Sequence, residues 1–144
     1  MRVADVMTRD VVTACTDATI RDIADLMAKN NVGTVVITDR DGKLEGIVTD
    51  RQVVTKCIAE GCDPSTSRIE EIMTREMPGP MGIVKASPDM DILDAARLLG
   101  QHHIRRMPVV EDSRVVGIVS EADLADEIMD AVAGILEEVS KAEK

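Results

Sequence analysis

The chain has 144 residues, 44% of them hydrophobic, with 17 basic against 27 acidic side chains, a net charge of −10, and no Phe, Tyr or Trp. That apolar share is too high for a disordered chain, and the length is that of one compact domain. Without aromatic rings no base-stacking platform can be built, and the negative charge repels a polyphosphate backbone, so nucleic acid is not an expected partner.

No apolar run approaches the roughly 20 residues that span a bilayer, and the first residues lack the apolar stretch of a signal peptide. The expectation is a cytoplasmic protein with no membrane contact. Cys57 and Cys62 stand five apart with no second pair, which is not a zinc pattern. Reduced thiols are expected for these two and for Cys15, with redox sensing as the alternative, and no metal site is expected.

The chain is written twice. Val3-Ala4-Asp5-Val6-Met7-Thr8-Arg9 returns as Ile69-Glu70-Glu71-Ile72-Met73-Thr74-Arg75, and Gly46-Ile47-Val48-Thr49 returns as Gly117-Ile118-Val119-Ser120. The few extra residues of the second copy fall in a Pro- and Gly-containing loop near residues 76–82. The reading is repeat 1 over residues 1–65, repeat 2 over 66–130 and a helical extension over 131–144, the repeats being related by a pseudo-twofold axis.

Each repeat begins with a short β-prone run, residues 11–15 or 83–86. A helix follows, with Ile20, Ile23, Ala24 and Met27 on one face, matched by Ile92, Ala95, Ala96 and Leu99. Thr19 with Asp22, and Asp91 with Asp94, read as helix starts. Strands over 34–38 and 44–48 are joined by an Asp-Gly turn, and their counterparts over 107–111 and 115–119 by Asp112-Ser113. A second helix closes each repeat, ending near Glu60 before Gly61 in the first and running from Glu121 to about Lys141 in the second. Leu124, Ile128, Ala131, Ile135 and Val139 form an apolar stripe longer than one repeat can cover, so the last helix packs along the other half or pairs with another chain. A homodimer is the expected outcome.

This duplicated β-α-β-β-α order, with "DVMT" and "EIMT" leading the copies, resembles the cystathionine-β-synthase (CBS) domain pair, or Bateman module. So do "GIVTDRQVV", "IRRMPVVED" and "GIVSEADL". The resemblance covers residues 1–130 and implies an α/β (α+β) fold of tandem CBS repeats with a long C-terminal helix. It implies a non-catalytic regulatory module that binds AMP, ADP, ATP or S-adenosylmethionine in a cleft between the repeats and signals to a partner protein. The alternative is a structural or interaction subunit whose cleft is vestigial. No nucleophile–base pair or Gly-rich phosphate loop argues for an enzyme, and no cofactor is required.

Ser120 and Asp123 match the family's Ser/Thr-x-x-Asp reader of ribose and phosphate. The chemistry suits it, because a carboxylate can accept both ribose hydroxyls and a helix start favours phosphate. The same spacing is also a helix cap. Arg106, with Arg105 and His103 as weaker neighbours, occupies the basic segment that faces phosphate, leading into Pro108. Adenine is expected against aliphatic groups and backbone at Ile83, Val84 and Ala86. The first repeat departs from this pattern: Gln52 replaces the carboxylate after Thr49, and Gly33-Thr34 stand where Arg105-Arg106 do. Thr49, Gln52, Thr13, Ala14 and Thr34 therefore outline only a possible second site, and one competent site per chain is expected.

Overall fold

The computed structural model describes residues 1–142. Their elements in chain order are α1 (Val3–Val6), β1 (Thr13–Ala14), α2 (Ile20–Asn30), β2 (Thr34–Thr38), β3 (Leu44–Thr49), α3 (Asp50–Gln52), β4 (Thr74–Arg75), α4 (Ile92–His102), β5 (Arg106–Glu111), β6 (Arg114–Ser120) and α5 (Glu121–Ala142). The expected α+β class and doubled plan are both present.

The chain forms two compact units, one of Asp10–Ile83 with Val110–Val115, the other of Met1–Arg9, Val84–Val109 and the chain from Val116 onward. These units interleave the sequence repeats. The segment that leads repeat 1 belongs to the unit built from repeat 2, while the segment that leads repeat 2 stays with repeat 1.

In the first unit a sheet of order β1-β2-β3-β4 has β1 parallel to β2 and antiparallel pairing elsewhere. The two residues of β4 come from the second leading segment and pair with Gly46 and Ile47. Ile20, Ile23 and Met27 of α2 meet Val35, Ile37 and Val48 of the sheet, and Ile69, Ile72 and Met73 complete that core. The expected α2 start is confirmed: Thr19 and Asp22 cap each other reciprocally.

The second unit repeats the plan with single bridges in place of the outer strands. Ala86 pairs parallel with Val109, and Thr8 pairs antiparallel with Ile118, on either side of the β5–β6 pair. Its core joins Val3, Met7, Ala95, Leu99, Met107, Val109, Val119 and Leu124. The strand expected over 83–86 is thus reduced to one bridge. The backbone N–H of Ile83 goes to Glu76 Oε1 at 2.8 Å instead of to a sheet.

The turn between β5 and β6 has Asp112 at φ 52° and Ser113 at φ 68°, so two non-glycine residues supply the left-handed pair that a two-residue hairpin needs. In the first repeat the expected helix to Glu60 is α3 followed by a π-turn over Val53–Ile58, where Ala59 N–H reaches back to Val54 O. Gly61 then turns left-handed, at φ 77°. This reversal brings Cys57 and Cys62 to a Cα separation of 4.9 Å, and they form a disulfide. The expectation of reduced thiols is corrected for this pair; it weighed the compartment and not the turn. Cys15 is free and exposed.

Candidate functional site

β6 runs into α5 with no residue between Ser120 and Glu121. Ser120, the last strand residue, turns its hydroxyl onto the helix start. Asp123 N–H donates to Ser120 Oγ at 3.2 Å, and Ser120 N–H donates to Asp123 Oδ2 at 3.1 Å. The pair satisfies two otherwise orphaned donors. It occupies one carboxylate oxygen only. Among the described residues Asp123 Oδ1 accepts no hydrogen bond, and the Ser120 hydroxyl still has its own proton to donate.

The basic segment is tied to the same corner, since Glu121 N–H donates to Arg105 O at 2.8 Å. Arg105 and Arg106 are exposed, and among the described residues neither guanidinium has a carboxylate within 4.0 Å. Pro108, two residues into β5, accepts the N–H of buried Ala86 at 3.0 Å, and Val84 packs against the same core. The fold therefore places Arg106 and Pro108 on β5, Ser120 at the end of β6 and Asp123 in the first turn of α5, with Arg105 just before β5, Ala86 bridged to Val109 of β5 and Val84 packed against the same core. Ile83 belongs to the other compact unit.

His103 lies at the end of α4, at φ 53°, in the left-handed capping role that Asn31 plays for α2 at φ 52°. Asparagine is a familiar occupant there and histidine a less common one. His103 and Arg105 line a cavity of about 440 Å³ floored by Ala96, Leu99, Gly100, Ile104, Leu124, Ala125 and Ile128, with Glu121 as its third charged or polar wall. Glu121 was not foreseen, because the spacing pattern of the strand-to-helix junction gives weight only to positions 120 and 123.

The first repeat builds the same cap with neutral groups. Thr49 N–H donates to Gln52 Oε1 at 2.9 Å and Gln52 N–H to Thr49 Oγ1 at 3.3 Å. Here the second polar atom is also taken, since Gln52 Nε2 donates to Thr74 Oγ1 at 2.9 Å. Thr74 was missed by the site reading, although a Thr closes both leading motifs. Asp50 N–H donates to Gly33 O at 2.9 Å, the counterpart of the Glu121–Arg105 bond. A Cβ on Gly33 would stand 3.0 Å from Asp50 Oδ2, so no arginine fits there unless Asp50 moves. Thr34 is buried, and Thr13 and Ala14 are β1 itself, in register with Val36 and Ile37.

No group of three or more His, Cys, Asp or Glu among the described residues could hold a metal ion, and no helix among them is long and apolar enough to cross a membrane.

Two copies of one α+β plan, each turning from strand to helix through a reciprocal cap, define a duplicated domain-pair protein. The CBS domain model matches residues 3–58 and 69–130, and the chain belongs to that family. It is 38% identical over 123 residues to the CBS domain-containing protein YhcV of Bacillus subtilis, covering 85% of this chain and 82% of that one. Hypoxic response protein 1 of Mycobacterium tuberculosis is 31% identical over 121 residues, 84% of this chain and 80% of its own. A crystal structure of Hypoxic Response Protein I, holding two coordinated zinc ions, superposes with a TM-score of 0.76 at 30% identity, covering 88% of this chain and 98% of that one. The CBS domain pair of protein MJ0100, in complex with 5-methylthioadenosine and S-adenosyl-L-methionine, gives a TM-score of 0.76 at 30% identity over 91% of this chain and 98% of its own.

Proposed function

We propose that this chain is a non-catalytic regulatory module that binds one adenosyl ligand at the β6–α5 junction and passes its occupancy to a partner protein. Free Asp123 Oδ1 beside Ser120 Oγ carries the reading, because it leaves an acceptor for ribose hydroxyls after the helix cap is complete. Arg106, with no carboxylate partner among the described residues, supplies a forked donor for a phosphate. The N–H groups of Ile83 and Ala86 are engaged within the protein, so an adenine edge meets this segment at the backbone between them, beside Val84. The methylthioadenosine and S-adenosylmethionine complex of the MJ0100 pair supports the adenosyl class, with AMP, ADP and ATP as the other members to be tried. The module works as a homodimer, and the first-repeat position, with both Gln52 polar atoms in use, is structural.

The missing aromatics make the test direct, since the chain is nearly transparent at 280 nm. Purified protein is expected to show a 260 nm band from a co-purified adenine, identified after denaturation by chromatography. Added ligand at a hundredfold excess over Kd is expected to stabilise the fold by about 2.7 kcal/mol and to be recovered unchanged. No thermal shift with any of the five compounds would favour the second reading, an interaction subunit in which Ser120 and Asp123 serve as a cap alone.

A further inference from the structure

The second helix of each repeat starts from the same reciprocal cap, and the two then part ways. Ile128, counted from Ser120, and Cys57, counted equally far from Thr49, occupy matching positions. Ile128 belongs to a helix that stays regular for 22 residues. Cys57 belongs to the π-turn of Val53–Ile58 and is fully buried in the core with Val53, Ile69, Ile72 and Met73. A single π-turn inside a helix marks functional positions disproportionately.

The helix then ends in a double backbone clasp. Gly61 N–H donates to Ile58 O at 3.2 Å and Cys62 N–H to Cys57 O at 3.0 Å, around left-handed Gly61. This is the Schellman arrangement, which sets the side chains of its first and last residues against each other. Here both are cysteines. Backbone hydrogen bonds therefore hold the two sulfurs together whether or not they are joined. A loop this short is also the kind whose closure restricts the unfolded chain least.

Cys62 begins a strap, residues 62–68, that is fastened at its far side without help from sulfur. Pro64 O accepts Arg21 N–H at 2.9 Å and Ser67 O accepts Ile20 N–H at 3.0 Å, which satisfies the first two donors of α2. Asp63 O accepts Ser67 N–H at 2.9 Å and keeps the strap folded on itself. The disulfide thus locks the end of the first-repeat helix to a strap that stands on its own bonds. Cys62 is half-buried, so a reagent reaches the bond from that side.

We infer that Cys57 and Cys62 form a reversible redox latch on the first repeat. Oxidised, the clasp is locked; reduced by a dithiol, it opens locally while the rest of the fold stays closed. One thiolate of the dithiol attacks Cys62 Sγ, the S–S bond breaks, and Cys57 leaves as a thiolate that takes up a proton. The second thiol of the reagent then displaces Cys62 from the mixed disulfide. Two electrons pass to the protein, the reagent becomes its cyclic disulfide, and its two hydrogens end on Cys57 and Cys62. Oxidation by that cyclic disulfide runs the same steps in reverse.

The full chain in graded mixtures of reduced and oxidised dithiothreitol tests the latch. Alkylation followed by mass measurement is expected to count one thiol per chain rising to three in a single transition, with the same midpoint from either direction. Amide exchange over residues 57–62 is expected to quicken at least about tenfold on reduction, and over β2, β3 and α4 to change less than about twofold. Cys62→Ser is expected to exchange over that segment like the reduced parent in every mixture. Cys15→Ser is expected to leave the midpoint unchanged. Equal exchange over 57–62 in both states would overturn the latch and leave a static staple. Faster exchange throughout the chain on reduction, or a transition that does not return, would overturn it as well.

Discussion

The side chain of Met7 covers Gly117, and a methyl group placed on that glycine would come within 2.5 Å of the Met7 sulfur and 3.1 Å of Thr8 O. Met73 stands over Gly46 in the same way, at 2.6 Å, with Thr74 O at 2.9 Å. Each leading segment is thus seated on a glycine in the middle of an inner strand. Methionine can swing aside, but the carbonyl of a paired strand cannot without loss of the bridge. Gly46→Ala and Gly117→Ala are each expected to lower stability by about 1–3 kcal/mol, measured by urea unfolding, with the larger loss at Gly46. Equal stability of both variants and the parent would show that the leading segments are not held this closely.

Asp123 has two duties that one substitution can separate. Asp123→Asn keeps an oxygen to accept Ser120 N–H but gives up the charge and the second acceptor. Thermal stability is expected to stay within about 0.5 kcal/mol of the parent, since asparagine serves helix starts about as well as aspartate. Adenosyl affinity, measured by calorimetry, is expected to fall at least about tenfold. Gln52→Ala is expected to leave that affinity unchanged and to cost about 1 kcal/mol of stability through the lost cap and the lost bond to Thr74.

Arg106 bears on the class of ligand. A guanidinium that meets a phosphate contributes a charge-assisted, paired hydrogen bond of about 1.5–3 kcal/mol. Arg106→Ala is therefore expected to weaken AMP, ADP or ATP by about 10- to 100-fold. Binding of 5-methylthioadenosine, which has no phosphate, is expected to change less than about threefold. A uniform loss across both kinds of compound would mean that Arg106 shapes the strand and does not read phosphate.

The doubled plan was legible because its signals are local. Thr19 and Asp22 sit three apart at a helix start, and the Asp39–Gly42 turn lies between two apolar runs. Which core receives Met7 is a long-range matter. The motif leading repeat 1 looks the same whether it joins its own repeat or the next, so the interleaving of the units was not visible. The hairpin turn at Asp112-Ser113 was placed correctly, although its two left-handed residues are not the usual glycine or asparagine. At the site, the reciprocal cap of Ser120 and Asp123 follows from their spacing of three, whereas a ligand role for them is implied only by the family resemblance. The Gln52–Thr74 bond spans 22 residues, and no spacing rule reaches it.

The disulfide is the clearest case in which geometry overrode composition. Cys57 and Cys62 stand five positions apart with no second pair, and on an unbroken helix they would lie about a turn and a half apart. The π-turn and left-handed Gly61 fold the chain back so that Cys62 N–H donates to Cys57 O at 3.0 Å and the sulfurs meet beneath the core edge. Closing so small a loop restricts the unfolded chain by about 2 kcal/mol on the loop-entropy account. In a chain of this length that corresponds to roughly 4–8 °C in Tm. Non-reduced protein, denatured and titrated for thiols, is expected to show one reactive cysteine per chain, Cys15, and three after reduction. Reduction is expected to lower Tm by that margin. Three thiols before reduction would show that the turn brings the two sulfurs together without joining them.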